Sequence, residues 1–146
     1  MSITCTVSNK WKHKLGQKAV DIANDTFKAI LVDTTFAFDK DVHGTLADVI
    51  AAPSPELATG NGYSQQNKAL DGGSWAQNND SDKGIRTFNN ITWTASGGSI
   101  GPTGAMIIYD DTDADDVVVG CVDFGTDYTI PDGSTLQITA PVIENA

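Results

Sequence analysis

The first part of the chain carries hydrophobic residues at near-helical spacing, with lysines between them. These hydrophobic residues are Trp11, Leu15, Ala19, Val20 and Ile22. Ser8 or Asn9 is placed to cap the N-terminus of a helix. The pattern therefore predicts an amphipathic helix over residues 9–23, which Gly16 weakens by about 1 kcal/mol relative to alanine.

From residue 26 onward the pattern changes to short segments that are typical of β-strands. Residues 85–95 alternate with a period of two and are rich in β-branched and aromatic side chains. Residues 105–109 and 117–124 contain continuous apolar runs, as in buried strands. Strands are predicted over residues 26–33, 63–70, 85–95, 102–109 and 117–124, with a hairpin-like ending over 128–139.

Between these segments, residues 45–52 suit a short second helix that stops before Pro53, and residues 74–84 are predicted to be a polar loop. Turn signals recur about every ten residues, as in sandwiches and jelly rolls. The sequence thus predicts a mainly β fold, an antiparallel β-sandwich or a jelly-roll-like fold, with an N-terminal helix and a short second helix. We expect one domain over residues 1–146, in which residues 1–23 form a basic N-terminal helical segment.

Composition and charge narrow the classes of function. The hydrophobic fraction is 40% and is spread along the chain, and no apolar run approaches the roughly 20 residues that span a bilayer. The pattern of a secretory signal is missing from residues 1–7, so we expect synthesis in the cytosol without export. The net charge of −10 argues against binding to nucleic acid and to anionic membranes.

The charge is unevenly distributed, because residues 1–20 hold four lysines and no acidic residue. Such a segment has two interpretations: a basic surface that docks on an acidic neighbour, including another copy of the chain, or an ordinary solvated helix face. Among the tryptophans, Trp75 in the polar loop is the best candidate for an exposed contact. The candidate interface residues are Lys10, Trp11, Lys12, Lys14, Lys18 and Trp75.

The sequence offers few groups for catalysis. The two histidines, His13 and His43, lie in the lysine-rich helix and in a polar loop, and neither belongs to a recognisable catalytic motif. Cys5 and Cys121 are expected to be reduced and buried, and their spacing matches no zinc motif. We therefore predict no catalytic residues, no cofactor and no enzymatic activity.

The acidic run after residue 109 invites comparison with calcium-binding loops. Asp111, Asp113 and Asp115 are spaced like the first ligands of an EF-hand. However, Asp116 occupies the position that requires glycine, and Val122 occupies the position that requires glutamate. The EF-hand is therefore rejected, and no metal site is predicted. Two interpretations of the acidic run stay open: a looser calcium site at Asp111, Asp113 and Asp115, or a solvated loop whose charges discourage pairing with another strand edge.

The order of several segments resembles a known family over nearly the whole chain. These segments are Phe38-x-Lys40-Asp41-x-His43, Gly60-x-Gly62-Tyr63, Phe88-Asn89-Asn90-Ile91-Thr92-Trp93-Thr94, Ala105-Met106-Ile107-Ile108-Tyr109-Asp110-Asp111, Val122-Asp123-Phe124-Gly125 and Leu136-Gln137-Ile138-Thr139. Together they resemble a group of small virion proteins of tailed bacteriophages. The polar loop around Trp75 and the acidic stretch 113–116 have no clear counterpart in that pattern.

The resemblance implies a capsid decoration (cement) protein or a related virion protein with a β-sandwich or jelly-roll-like fold and no catalytic residues. Its expected partners are the major capsid protein or other virion proteins, together with further copies of itself. It would be made in the host cytoplasm and reside in the virion. A tail, collar or fibre-associated virion protein is the first alternative, and a carbohydrate-binding β-sandwich module is the second.

Overall fold

The computed structural model describes residues 5–145, so residues 1–4 of the predicted basic segment and residue 146 lie outside the described part. Antiparallel strands dominate the structure, as the sequence predicted. The elements in chain order are β1 (Thr6–Val7), α1 (Asn9–Gly16), β2 (Phe27–Val32), α2 (Leu46–Val49), β3 (Lys68–Leu70), β4 (Ser74–Asn78), β5 (Lys83–Thr87), β6 (Ile91–Thr94), β7 (Ile100–Asp110), β8 (Val118–Ile130), β9 (Thr135–Ile138) and β10 (Val142–Asn145).

The strands within residues 5–145 form three antiparallel sheets. The largest has five strands in the order β1-β8-β7-β2-β3, the second has the order β10-β5-β4, and the third pairs β6 with β9. The long strands β7 and β8 form the centre of the five-stranded sheet, where β7 also pairs with β2 in a register that places Ile30 opposite Ile107. The predicted apolar runs lie in these two central strands.

Both faces of the five-stranded sheet are buried. One face contributes Leu31, Met106 and Ile108 to the main core, which also contains side chains from the two smaller sheets. The opposite face contributes Ile30 and Ile107 to a second core. That second core is completed by side chains of α2 and of the residues on either side of it, namely Phe36, Phe38, Leu46, Val49 and Ile50. Burial on both faces explains why the central strands are continuous apolar runs rather than alternating ones.

The N-terminal helix is shorter than predicted. It begins at Asn9, where the Ser8 side chain accepts a hydrogen bond from the Trp11 backbone N–H at 3.1 Å, but it ends at Gly16 rather than at residue 23. Glycine is a poor helix former, and Lys18 adopts a left-handed backbone with φ of 58° that a helix cannot contain. The apolar residues after the helix end still reach the main core from an irregular segment.

The predicted loop over residues 74–84 is a second correction, because β4 and the start of β5 form a hairpin there. Four of the five side chains of β4 are exposed, so neither face of this strand produces an apolar alternation in the sequence. The second helix is present, although it is shorter than the predicted 45–52. It begins with a capping box in which Thr45 and Asp48 satisfy each other's backbone N–H groups.

Candidate interaction site

The lysine-bearing segment contains three exposed lysines and one that is held within the molecule. Lys10, Lys12 and Lys18 are exposed. The Lys14 ammonium bonds both carboxylate oxygens of Asp113, at 2.8 and 2.7 Å, and one oxygen of Asp115 at 2.9 Å. Burial lowers the pKa of Lys14, but the hydrogen bonds to the two carboxylates outweigh it and hold that pKa above its usual value. Lys14 therefore fastens α1 to the connection between β7 and β8.

Trp11 does not belong to an exposed surface, although it was predicted as an interface residue. Its side chain is 1% exposed, and its ring packs edge-on against Phe27 with 5.7 Å between ring centroids. A side chain that fills the core cannot contact a partner unless the fold opens. The interface candidates on α1 are thus reduced to the exposed lysines.

The acidic loop does not bring all three calcium candidates together. Asp111 pairs with Lys28 at 3.2 Å, whereas Asp113 and Asp115 pair with Lys14. Asp113 also accepts backbone N–H groups, so its oxygens already have donors. Within residues 5–145, no three His, Cys, Asp or Glu side chains converge as a metal site would require. The carboxylates of the acidic run form ion pairs with lysines instead.

The histidine that sequence analysis placed in a polar loop packs against aromatic rings. His43 accepts the Asp39 backbone N–H on Nδ1 at 2.9 Å, and its ring lies 4.9 Å from that of Phe36 and 5.8 Å from that of Phe38. His13 is exposed on α1. The two imidazoles thus lie in different settings, one shaping a loop and one facing solvent.

The two cysteines are free and lie on opposite faces of the five-stranded sheet. Thr6 of β1 is paired with Cys121 of β8, and successive side chains of a strand alternate between faces. Cys5 accordingly belongs to the main core and Cys121 to the second core. Burial raises the pKa of Cys5 well above its usual range and that of Cys121 to about 12. Both are thiols at neutral pH, the unreactive form.

The sequence pattern did not predict a buried carboxylate. Glu56 is 7% exposed and accepts hydrogen bonds from the Tyr63 hydroxyl at 3.0 Å, the Gln66 backbone N–H at 2.9 Å and the Gln66 side-chain amide at 3.1 Å. These contacts span up to ten positions in the chain and have no periodic signature. Glu56 therefore fixes the loop before β3, which is a structural role.

The hairpin of β4 and β5 presents an open strand edge. Among the described residues, β4 pairs with β5 on one side and with no strand on the other. Unlike β6 and β9, whose alternate side chains are buried, β4 has no buried side chain, and none of its residues is charged. Trp75 is 39% exposed, and its indole lies so close over Gly84 that a Cβ at that position would overlap the ring. Backbone donors and acceptors and an aromatic ring thus share one exposed edge.

Comparison of the chain with family models, with curated proteins and with solved structures finds no match. Neither helix within residues 5–145 has the length and apolar character that crossing a membrane demands.

Proposed function

We propose that the chain is a non-enzymatic structural protein of a bacteriophage particle, and specifically a capsid decoration protein that binds the major capsid protein and stabilises the head shell. The support from the sequence is the family resemblance described above, which extends over nearly the whole chain. The segments that carry it include parts of the central strands β7 and β8. The resemblance concerns the residues that build the body of the protein.

The observation that carries the proposal is the exposed, uncharged edge of β4 with Trp75 upon it. An open strand edge recognises another extended chain through backbone hydrogen bonds. Proteins that avoid such pairing place charges, prolines or bulges on their edges, and β4 has no charged residue and no proline. Tryptophan is also among the residues that most often anchor a protein interface. The β4 edge is therefore suited to adhesion between proteins.

Two carboxylates that chemistry could use are engaged in holding the fold. Glu56 binds Tyr63 and Gln66, and the carboxylate of Asp113 binds Lys14. A decoration protein needs no reactive group, since it works by interface area repeated over many symmetric copies. A standard interface buries roughly 1,600 Å² in total. The exposed lysines of α1 add a positively charged contact for an acidic partner surface.

The test uses shells from which the protein has been omitted. Purified wild-type protein should bind these shells at a fixed, saturable stoichiometry in a sedimentation assay. Ala76→Lys puts a charge in the middle of the β4 edge and should weaken binding more than tenfold, whereas Gln137→Lys adds the same charge to an exposed position of β9 and should bind as the wild type does. Failure of the wild type to bind, or equal binding by Ala76→Lys, would contradict the proposal.

Two further functions make different predictions for the same surface. A tail, collar or fibre protein would use the edge equally well, and locating its density in an electron-microscopy map of the particle separates that case from the head. The half-exposed indole of Trp75 lies beside the polar side chains of Gln77 and Asn79, a combination that also suits a sugar ring. Binding to a glycan array that Trp75→Ala abolishes would favour the carbohydrate-binding function instead.

A further inference from the structure

Arg86 of β5 is the only arginine in the sequence, and within residues 5–145 it has no acidic partner. The ion pairs of this part of the chain join Lys14, Lys28 and Lys83 to carboxylates, and Arg86 takes part in none of them. Its Nε is buried without a hydrogen-bond acceptor, and no acceptor among the described residues binds its terminal nitrogens. A buried polar group without a partner requires an explanation, all the more in a chain with 19 acidic residues.

The guanidinium group of Arg86 is held over an aromatic ring. Its central carbon lies 4.6 Å from the centroid of the Phe88 ring, which belongs to the main core. The Arg86 side chain is only partly buried there, and among its unpaired nitrogens Nε alone is buried. The ring attracts the cation, but this attraction leaves the N–H donors of the guanidinium unused. Phe88 thus orients a cation whose terminal donors remain accessible to a group from outside.

Arg86 and Trp75 lie side by side on the hairpin of β4 and β5. The two residues are directly paired across the strands, so their side chains project from the same face. The Trp75 indole leans over Gly84, whereas the guanidinium lies over Phe88, in the opposite direction along β5. The two side chains therefore diverge, and the face beside β4 presents an aromatic ring and a cation at separate positions.

A chain that pairs with the open edge of β4 comes within reach of this guanidinium. Neighbouring strands lie about 4.8 Å apart, so an added strand lies about 10 Å from β5, on the far side of β4. A glutamate side chain of the added strand and the long Arg86 side chain together span this distance. Gly73, which precedes β4 and whose backbone lies against Thr87 and Phe88, places no side chain between them.

We propose that Arg86 anchors a carboxylate of the extended segment that pairs with β4, so that this partner segment carries a glutamate on the Trp75 side. The inference rests on the proposed function, because it takes β4 as the edge that binds the partner. A guanidinium and a carboxylate form two parallel hydrogen bonds, and arginine is preferred over lysine at interfaces for this geometry. Trp75 and Arg86 then form an adjacent pair of the residue types that often contribute most to binding.

The rest of the partner segment should be uncharged. No residue of β4 is charged, and the net charge of −10 repels further acidic groups. Since β4 contains no acid, a second copy of the chain that pairs through its own β4 does not supply the carboxylate. Because Arg86 is partly buried, salt screens its ion pair less than it screens an exposed one. The partner is therefore another protein that presents one glutamate on a neutral strand.

The first experiment uses peptides and needs no shell. Short peptides of alternating threonine and valine, with acetylated and amidated ends, carry glutamate at each position in turn, and each has a twin with glutamine there. Binding to the wild-type protein is followed by NMR through the Arg86 side-chain N–H and the Trp75 indole N–H. One or more glutamate peptides should shift the Arg86 resonance and bind about tenfold more tightly than their glutamine twins.

Variants of Arg86 separate binding from folding. Arg86→Met keeps a flexible apolar chain over Phe88 and should reduce the preference for glutamate to about twofold or less, whereas Arg86→Lys, which lacks the planar fork, should retain part of it. Lys40→Met removes the same charge from an exposed position and should keep the full preference. The preference compares two peptides on one protein, so a smaller folded fraction lowers both affinities and leaves their ratio unchanged.

Three results overturn the proposal. A wild type without a preference for glutamate at any position, or an Arg86→Met variant that keeps the preference, removes Arg86 as the anchor. A shift of the Arg86 resonance by an oligosaccharide of glucuronate, where no peptide shifts it, assigns the guanidinium to an acidic sugar rather than to a protein segment.

Binding to shells separates this inference from the proposed function. In the sedimentation assay, Arg86→Met should weaken binding about tenfold, whereas Lys40→Met should bind as the wild type does. If the wild type and Arg86→Met bind shells equally well, the anchor is wrong although the proposed function stands. If the wild type does not bind shells but prefers glutamate peptides through Arg86, the proposed function is wrong and the anchor stands.

Discussion

Removing the hydroxyl group of Tyr63 is the most direct test of how the outer edge of the five-stranded sheet is held. β3 pairs with β2 only as far as Ala29. Beyond it, the Leu31 backbone N–H donates to the Tyr63 hydroxyl at 3.0 Å, and that hydroxyl donates to Glu56 at 3.0 Å. The Tyr63 hydroxyl thus accepts the hydrogen bond that a longer β3 would have accepted from Leu31. Tyr63→Phe removes this hydroxyl and leaves the ring in the core.

The magnitude follows from the groups left behind. A buried donor or acceptor without a partner costs about 1–3 kcal/mol. The Leu31 N–H loses the hydroxyl that accepts its hydrogen bond, whereas Glu56 keeps its two bonds from Gln66 and so contributes less. We therefore expect Tyr63→Phe to lower the free energy of unfolding by about 2–3 kcal/mol. The phenyl ring of the variant fills nearly the same volume, so no cavity term is added.

Urea unfolding at 25 °C measures this change. With a slope of about 1–3 kcal/mol per molar urea for a small protein, the midpoint should fall by about 0.7–3 M while the slope stays constant. Tyr128→Phe is the matched control, because that hydroxyl makes no hydrogen bond within residues 5–145 and its loss should change stability by less than about 0.5 kcal/mol. Equal, small effects of both variants would refute the reasoning, since the Tyr63 hydroxyl would then contribute no more to the free energy of unfolding than a solvated hydroxyl does.

Three other substitutions test separate features of the fold. Lys14→Gln should destabilise by about 1 kcal/mol in thermal unfolding at low salt and by less at high salt, whereas Lys12→Gln on the exposed side of α1 should be near neutral at both. Gly73→Ala should cost more than about 3 kcal/mol in urea unfolding because its Cβ would overlap the last carbonyl of β5, while Gly133→Ala meets only backbone strain of about 1 kcal/mol. Phe27→Ala removes a ring packed between two other aromatic rings and should cost about 3–5 kcal/mol by the same assay.

The fold class was predictable because the strongest signal in the sequence is also the centre of the structure. The apolar runs 105–109 and 117–124 lie in β7 and β8, apart from residue 117 just before β8. The alternating residues 85–95, predicted as one strand, are divided between the end of β5 and β6, which lie in different sheets. A run of apolar residues reports burial, which is what the middle of a sheet requires. The same signal was misleading after Gly16, since Val20 and Ile22 are buried without being helical.

The candidate site was less predictable for a related reason. Alternation reveals a strand only when one of its faces is buried, and β4 has no buried side chain. Trp11 recurs with the apolar residues of its helix, and that spacing already pointed to the core in which it lies. The bond between Lys14 and Asp113 joins residues 99 positions apart, so no local pattern could indicate it.

Ionic strength should distinguish which of the two exposed surfaces mediates adhesion. A chain with net charge −10 repels other acidic proteins, and salt screens that repulsion over a Debye length of about 10 Å at 0.1 M. If the exposed lysines of α1 provide most of the attraction, binding to shells should weaken as salt is added, and Lys12→Glu should weaken it further. If the β4 edge dominates, salt should leave binding unchanged or strengthen it, because backbone hydrogen bonds and the Trp75 ring carry no net charge. We expect the second behaviour, since Lys14 is already committed to Asp113 and the remaining lysines are solvated. If binding falls steeply between low and physiological salt, and Ala76→Lys does not change that fall, the interface lies on α1 rather than on β4.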